Sequence, residues 1–163
     1  MKIALLLTST VCPQVATGKF SESERMEMYH STLQYYADTI GCDYPVVLVE
    51  NSDADLTVWK EEFKESLRLE ILQFVPLELQ NSQSNREDYG FDNRKGKGYN
   101  EYLMIKLALE RSESLKECTH FLKITGRYPM LNIREMLGEM EKRGKDKVMM
   151  CDVKDSRLYE ILW

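Results

Sequence analysis

KIALLLTST, from Lys2 to Thr10, and PVVLVENS, from Pro45 to Ser52, are the stretches that decide the fold of this chain of 163 residues. Each opens with an apolar run of strand length and closes with small polar residues, as a buried strand does. The helix pattern between them begins at a capping box, Ser21 with Glu24, and stops at Gly41. The order strand, helix, strand predicts two parallel strands joined by a helix on one face of a sheet.

The same alternation continues along the chain. A helix pattern from Leu56 leads to a third strand at Leu69 to Phe74, and later strands are predicted at His120 to Ile124 and at Lys147 to Cys151. The helix Tyr99 to Glu110 is apolar nearly all round, so we expect it to be buried. The pattern predicts an α/β fold: a single domain, residues 1–163, with a Rossmann-like, mostly parallel sheet flanked by helices.

Charge and hydropathy exclude several classes of function. The net charge of −5 opposes nucleic-acid binding, and no broad basic face offsets it. The longest apolar run, Ile3 to Leu7, is too short to cross a membrane, and no signal-peptide cleavage pattern follows it. We therefore expect a cytoplasmic protein with no transmembrane segment.

Parallel strands place their carboxyl ends at one edge of a sheet, and ligands of open α/β sheets bind there. The polar residues at these predicted ends are Thr8, Ser9, Thr10, Glu50, Asn51, Thr125, Gly126, Arg127 and Asp152. A carboxylate such as Glu50 is suited to accept hydrogen bonds from ribose hydroxyls. These residues are our candidate substrate site.

The segment Lys95-Gly96-Lys97-Gly98 adds two ammonium groups and flexible backbone ahead of a helix N-terminus, a combination that suits phosphate. It matches neither the Walker pattern nor the G-x-G-x-x-G pattern, so an ordinary solvated loop remains an alternative. The polar stretch from Gln80 to Lys97 is long, and we expect it to be mobile without ligand and ordered over a bound diphosphate.

Four stretches, KIALLLTST, VVLVENS, KGKGYNEYLMIKLALE and HFLKITGRYPMLNI, resemble bacterial glycosyltransferase-like proteins of GT-A type, most specifically at Lys95 to Glu101 and Lys123 to Arg127. The resemblance implies a domain that binds a nucleotide-sugar donor and transfers the sugar to a glycan acceptor, as in polysaccharide biosynthesis. It adds Lys123 to the candidate substrate site.

The chain departs from that family's pattern in two ways. Thr125-Gly126-Arg127 stands where such enzymes commonly carry a metal-binding D-x-D, so a divalent metal stays possible but its usual ligands are missing. The literal D-x-D, Asp53-Ala54-Asp55, stands at a helix start, where acids serve as caps. Barely one element can follow Asp152, which implies a truncated chain or a protein that binds nucleotide without completing transfer.

The catalytic assignment is a single residue, Asp152, as the base of an inverting transfer. Two other functions remain open at this stage. One is a non-catalytic module that binds nucleotides or protein partners, and the other is a small α/β enzyme acting on another phosphorylated metabolite.

Overall fold

The computed structural model describes residues 1–13, 19–80, 87–143, 150–153 and 157–160. The chain forms two compact units, one from Lys2 to Met130 and one that comprises Met1 and Leu131–Trp163. The strands are β1 (Ile3–Ser9), β2 (Pro45–Glu50), β3 (Arg68–Gln73), β4 (His120–Thr125), β5 (Met150–Val153) and β6 (Arg157–Glu160). The helices are α1 (Glu22–Thr39), α2 (Thr57–Phe63), α3 (Lys97–Arg111), α4 (Glu113–Lys116) and α5 (Ile133–Arg143).

Four strands form the sheet of the larger unit, in the order β3-β2-β1-β4, and every neighbouring pair is parallel. This confirms the predicted α/β fold. The strand order reverses at β1, so its carboxyl end lies between those of β2 and β4. Thr8 pairs in register with Thr125 on one side, and Ser9 pairs with Glu50 on the other. The polar ends of these three strands therefore meet, as predicted.

One face of the sheet packs on α3. Ala4 and Leu6 of β1 join Met104, Leu107 and Ala108 of α3 in a single buried apolar cluster. The prediction that this helix is buried holds for one side only, because Tyr102 and Leu109 are exposed. The buried stripe repeats at helical spacing and determines which side of α3 faces the sheet.

The helix α1 begins as predicted. The Ser21 side chain accepts a hydrogen bond from the Glu24 backbone, and the Glu24 carboxylate accepts one from the Ser21 backbone, which completes the capping box. Further along, His30 connects α1 to α2: its Nε2 lies 2.8 Å from Glu62 Oε1, and its ring packs against Phe63.

The smaller unit contains α5 and a two-stranded antiparallel sheet. In that sheet Cys151 of β5 pairs with Tyr159 of β6, and Asp152 pairs with Leu158. The prediction that the last strand extends the parallel sheet is wrong, because β5 finds an antiparallel partner next to it in the sequence. None of the helices in the described ranges combines the length and apolar character needed to cross a bilayer.

Candidate functional site

A cavity of about 740 Å³ opens at the carboxyl ends of β1, β2 and β4. We call it the strand-end cavity. Its lining includes seven of the predicted site residues, namely Thr8, Ser9, Thr10, Asn51, Lys97, Thr125 and Arg127. It also includes residues not predicted from the sequence, among them Lys19, Phe20, Arg25, Tyr29, Glu101 and Tyr128. The crevice therefore lies where the strand order predicted it.

The residues at the carboxyl end of β1 use their hydroxyl groups to hold the edge of the cavity together. Ser9 Oγ donates to the carbonyl oxygen of Val49 at 3.1 Å, and Thr10 Oγ1 donates to Asn51 Oδ1 at 2.5 Å. These bonds join the ends of β1 and β2. Ser9 and Thr10 thus position the cavity wall through bonds within the protein.

The turn after β4 is built by a glycine at a close approach. Gly126 N donates to the carbonyl oxygen of Thr8 at 3.0 Å, and a Cβ added to Gly126 would lie 2.9 Å from that oxygen. Such a distance is far below normal contact, so this position requires glycine. Gly126 does not line the cavity; it lets the β4 turn lie against β1 and presents the next residue, Arg127, to the cavity.

Arg127 carries the clearest sign of a binding function. Its Nε is buried and has no hydrogen-bond partner among the described residues. A buried donor without a partner destabilises the protein by about 1–3 kcal/mol. Other atoms of Arg127 line the strand-end cavity, so a rotation of this side chain would bring its unpartnered donor to a ligand oxygen there.

A second arginine, Arg25, was missed in the sequence. It is only 4% exposed, and its Nη1 donates to the carbonyl oxygen of Thr10 at 3.2 Å. Tyr29, one turn later on α1, accepts a hydrogen bond from Thr10 N at 3.0 Å. Burial raises the pKa of Tyr29, while the bond from Thr10 and the charges of Arg127 and Arg25 act in the opposite direction. The sequence did contain a signal, because Arg25 occupies the same helical stripe as buried Tyr29 and Tyr36.

Among the lining residues that the structure describes, the one acidic side chain is that of Glu101, on α3. Its Oε1 accepts hydrogen bonds from Thr8 Oγ1, at 3.0 Å, and from Lys123 Nζ. Burial raises the pKa of Glu101, but the bond and charge of Lys123, with the bond from Thr8, outweigh it and lower the pKa overall. Glu101 is therefore held as a carboxylate. Lys123, a predicted substrate ligand, forms this ion pair and is not among the lining residues.

Glu50 is in a different place from the one its predicted role requires. It is fully buried and does not line the cavity. Its Oε1 accepts from Val11 N at 3.1 Å and from the Ser52 hydroxyl, and its Oε2 accepts from Ser52 N at 2.8 Å and from Gln73 Nε2 at 3.3 Å. The prediction of ribose binding is corrected: both oxygens of Glu50 organise the loops after β1 and β2.

The residues of the predicted phosphate-binding segment, Lys95 to Gly98, do not all lie at one site. Lys97 lines the strand-end cavity, but Lys95 lies with its Nζ 4.4 Å from the centre of the Tyr99 ring and lines a separate surface depression. Gly98 is an exposed residue in the first turn of α3, outside the lining. Within this segment, Lys97 lies at the strand-end cavity, as predicted.

The expectation of a mobile stretch from Gln80 to Lys97 falls partly on residues 81–86, which lie outside the described residues. The part that follows is anchored. Gln80 bonds both N and O of Glu87, Asp92 N donates to Asn100 Oδ1 at 3.0 Å, and the Tyr89 ring packs on Phe74. These contacts hold residues 87–92 against α3 and the core.

Asp152 lies within β5, so it does not follow the end of a strand of the parallel sheet. Asp152 was predicted to be the base because it was expected to follow the carboxyl end of a parallel strand, and that expectation is wrong. Of the literal D-x-D, Asp55 precedes the N-cap residue Leu56, and its Oδ1 accepts from Thr57 N, the first residue of α2, at 3.0 Å. Within the described ranges no three His, Cys, Asp or Glu side chains are grouped to hold a metal ion. The Thr125-Gly126-Arg127 turn itself supplies no carboxylate, so it does not fit a D-x-D metal.

Comparison of the chain with protein-family models, with curated proteins and with solved structures finds no match.

Proposed function

We propose that this chain binds a nucleotide-activated sugar in the strand-end cavity and belongs functionally with glycosyltransferases, transferring the sugar to a glycan acceptor. The observation that carries the proposal is Arg127, whose buried Nε lacks a partner among the described residues and whose side chain lines the cavity. A guanidinium presents paired donors that match the oxygens of a phosphate. Phosphate binding would satisfy this donor and neutralise its charge together.

The charge of the lining supports an anionic ligand. The described lining residues include four cations, Lys19, Arg25, Lys97 and Arg127, and one carboxylate, that of Glu101. That excess of positive charge contrasts with a whole chain whose net charge is −5. A cationic crevice on an acidic protein concentrates anions locally, because low-dielectric walls focus the field.

Size and shape support a ligand larger than phosphate alone. The volume of about 740 Å³ falls within the range of about 300–1,000 Å³ that is usual for sites of small molecules and cofactors. Phe20, Phe91 and Tyr128 contribute aromatic rings to the lining, on which a nucleobase or a sugar ring can pack. A nucleoside diphosphate with its sugar combines the charge and the ring surfaces that this lining matches.

The chemistry that these residues support is positioning and charge stabilisation. In sugar transfer the leaving group is a nucleoside diphosphate, and cations beside it stabilise the charge that develops as the glycosidic bond breaks. Lys97 and Arg127 are the residues suited to that role. No step is assigned to a metal ion, since the Thr125-Gly126-Arg127 turn lacks carboxylate ligands.

A second function, nucleotide binding without transfer, is favoured by the shortage of a general base among the described residues that line the cavity. Glu101, the one acidic side chain among the described lining residues, accepts bonds from Thr8 and Lys123 that lower its pKa and make it a weak base. The cavity therefore offers cations that can bind the diphosphate, but it is less well equipped with a base that could deprotonate the acceptor hydroxyl.

A thermal-shift experiment with ADP, CDP, GDP and UDP and their hexose derivatives tests the binding. A ligand at about 100 times its dissociation constant stabilises the folded protein by about 2.7 kcal/mol. We expect a rise in melting temperature with at least one nucleotide, and no rise with any would reject the proposal. Release of the nucleoside diphosphate on addition of a glycan acceptor then separates transfer from binding alone.

A further inference from the structure

Glu101 is an unusual residue for a cavity that favours anions. It is a carboxylate surrounded by a lining with four cations, where it opposes the binding of any phosphate. It lies on α3, and its side chain is 45% exposed to the cavity and solvent, so it is not needed to fill the core. Because this negative charge opposes phosphate and is not required for packing, it indicates a role in selecting the ligand.

The two oxygens of Glu101 are used differently. Oε1 accepts both bonds within the protein, from Thr8 Oγ1 on β1 and from Lys123 Nζ on β4. Among the residues that the structure describes, Oε2 has no hydrogen-bond partner. The carboxylate is thus fixed by two strands while one oxygen stays available to a ligand.

A fixed carboxylate oxygen recognises hydrogen-bond donors and repels other anions. On a sugar or a ribose those donors are hydroxyl groups, and a bond from a hydroxyl to a carboxylate is among the stronger ones. Bare phosphate or pyrophosphate at neutral pH presents mainly acceptors and gains nothing from this oxygen. The arrangement therefore distinguishes a ligand that carries hydroxyl groups from a phosphate alone.

We propose that Glu101 is a specificity-determining residue of the strand-end cavity, whose Oε2 accepts a hydrogen bond from a hydroxyl of the ligand, with Thr8 and Lys123 as its positioning residues. This inference rests on the proposed function and names the part of the ligand that the cavity selects. The shared chemistry is a hydroxyl donor, which either the ribose or the transferred sugar can supply.

The test compares dissociation constants for pyrophosphate, for UDP, ADP, GDP and CDP, and for UDP-glucose, ADP-glucose and GDP-mannose, in the wild type and in Glu101→Gln. Removal of the negative charge leaves pyrophosphate binding unchanged or tighter, since the cations remain. Loss of the charged acceptor weakens the binding of hydroxyl-bearing probes. From the wild type to Glu101→Gln, we expect the dissociation constant of the nucleotide divided by that of pyrophosphate to rise roughly 10- to 100-fold.

Two further variants make the test specific. Thr8→Val removes the hydroxyl that holds Oε1 of Glu101 but keeps the negative charge of Glu101. It should therefore raise the ratio by a smaller factor. This variant tests the inference if the Glu101→Gln protein does not fold. Glu110→Gln removes a carboxylate from the other end of α3, where it pairs with Lys106, and should leave the ratio unchanged.

Each outcome bears on the inference. A ratio that rises for the nucleoside diphosphates assigns the hydroxyl to ribose, and one that rises for the nucleotide sugars alone assigns it to the sugar. A ratio that is unchanged in Glu101→Gln, or changes equally in Glu110→Gln, overturns the role of Glu101 while nucleotide binding stands. Wild-type protein that binds pyrophosphate alone, or no probe at all, rejects the proposed function and this inference with it.

Discussion

Gly126 and Thr8 are in closer contact than any side chain at position 126 would allow. The amide of Gly126 donates to the Thr8 carbonyl at 3.0 Å, and an added Cβ would lie 2.9 Å from the same oxygen and 3.1 Å from the Tyr29 ring. Thr8 and Tyr29 both line the strand-end cavity. The contact therefore sets the distance between the β4 turn and the cavity wall.

Gly126→Ala should destabilise the fold and weaken nucleotide binding, because a backbone carbonyl cannot move aside as a flexible side chain can. We expect a loss of about 1–3 kcal/mol in the free energy of unfolding, as for overpacking in a core. Gly98→Ala is the matched control, since a Cβ there has no neighbour within 4 Å and alanine favours the helix. Urea denaturation of both variants checks this, and equal stability of the two would contradict it.

Glu50→Gln should also destabilise the protein. The carboxylate accepts backbone N–H bonds on both oxygens, from Val11 and from Ser52, and glutamine has only one acceptor oxygen. One buried backbone N–H is then left without a partner, which costs about 1–3 kcal/mol.

Removal of the charge of Glu50 acts in the opposite direction and favours the folded state of Glu50→Gln. Burial raises the pKa of Glu50, while the bonds from Ser52, Val11 and Gln73 lower it in part, so removal of the charge relieves some desolvation. We expect loss of the hydrogen bond to dominate, because Val11 and Ser52 are both buried. Unfolding by urea at pH 7 decides, and a Glu50→Gln protein as stable as wild type would mean that desolvation dominates.

Glu70 should make stability depend on pH in the acid range. Burial raises its pKa, but bonds from the Ser112 hydroxyl and from the backbone N–H groups of Ser114 and Glu113 outweigh burial and lower it below the usual 4.5. An acid with a lowered pKa stabilises the fold fully above about pH 4.5, and that stability is lost as the pH falls through its folded pKa.

Glu70→Gln should therefore be less stable than wild type at pH 7, by about 1 kcal/mol given that the partly exposed carboxylate is screened by solvent. The difference should shrink as the pH falls below 4.5, where Glu70 of the unfolded chain takes up a proton, and it should be lost once the pH is below the lowered folded pKa. Glu65→Gln, at an exposed position, measures the effect of removing one negative charge elsewhere. Melting temperatures of the three proteins between pH 3 and pH 7 test this, and a difference that stays constant with pH would refute it.

Arg127→Ala should weaken binding of the best nucleotide roughly 10- to 100-fold, since one bidentate guanidinium contact with phosphate is lost. EDTA should leave wild-type binding unchanged. Arg94→Ala is the matched control, because Arg94 carries the same charge but pairs with Asp92 at 2.9 Å outside the strand-end cavity. Calorimetric titrations give the constants. Binding that disappears with EDTA yet survives Arg127→Ala would show that a metal ion, and not this arginine, neutralises the diphosphate.

The sequence was sufficient to place β1, β2 and β4 and to predict that their polar ends meet. Runs such as Leu5 to Leu7 must be buried, and parallel strands bring their carboxyl ends to one edge whatever the loops do. For the same reason Thr8 and Thr125, more than a hundred residues apart, could be assigned to one crevice. The capping box of Ser21 and Glu24 was predictable because both partners lie within one helical turn.

Only the tertiary structure decided what each polar side chain at that edge does. Glu50 and Glu101 are both carboxylates near the strand ends, yet Glu50 accepts from four donors, whereas Glu101 lines the cavity and its Oε2 has no partner among the described residues. Arg25 enters the site from α1, and β5 pairs with β6 rather than with the parallel sheet. The physical reason is range: the apolar pattern of a strand and the capping box of a helix lie within a few neighbouring residues, whereas the side-chain hydrogen bonds and ion pairs depend on which groups the folded chain brings within about 3 Å.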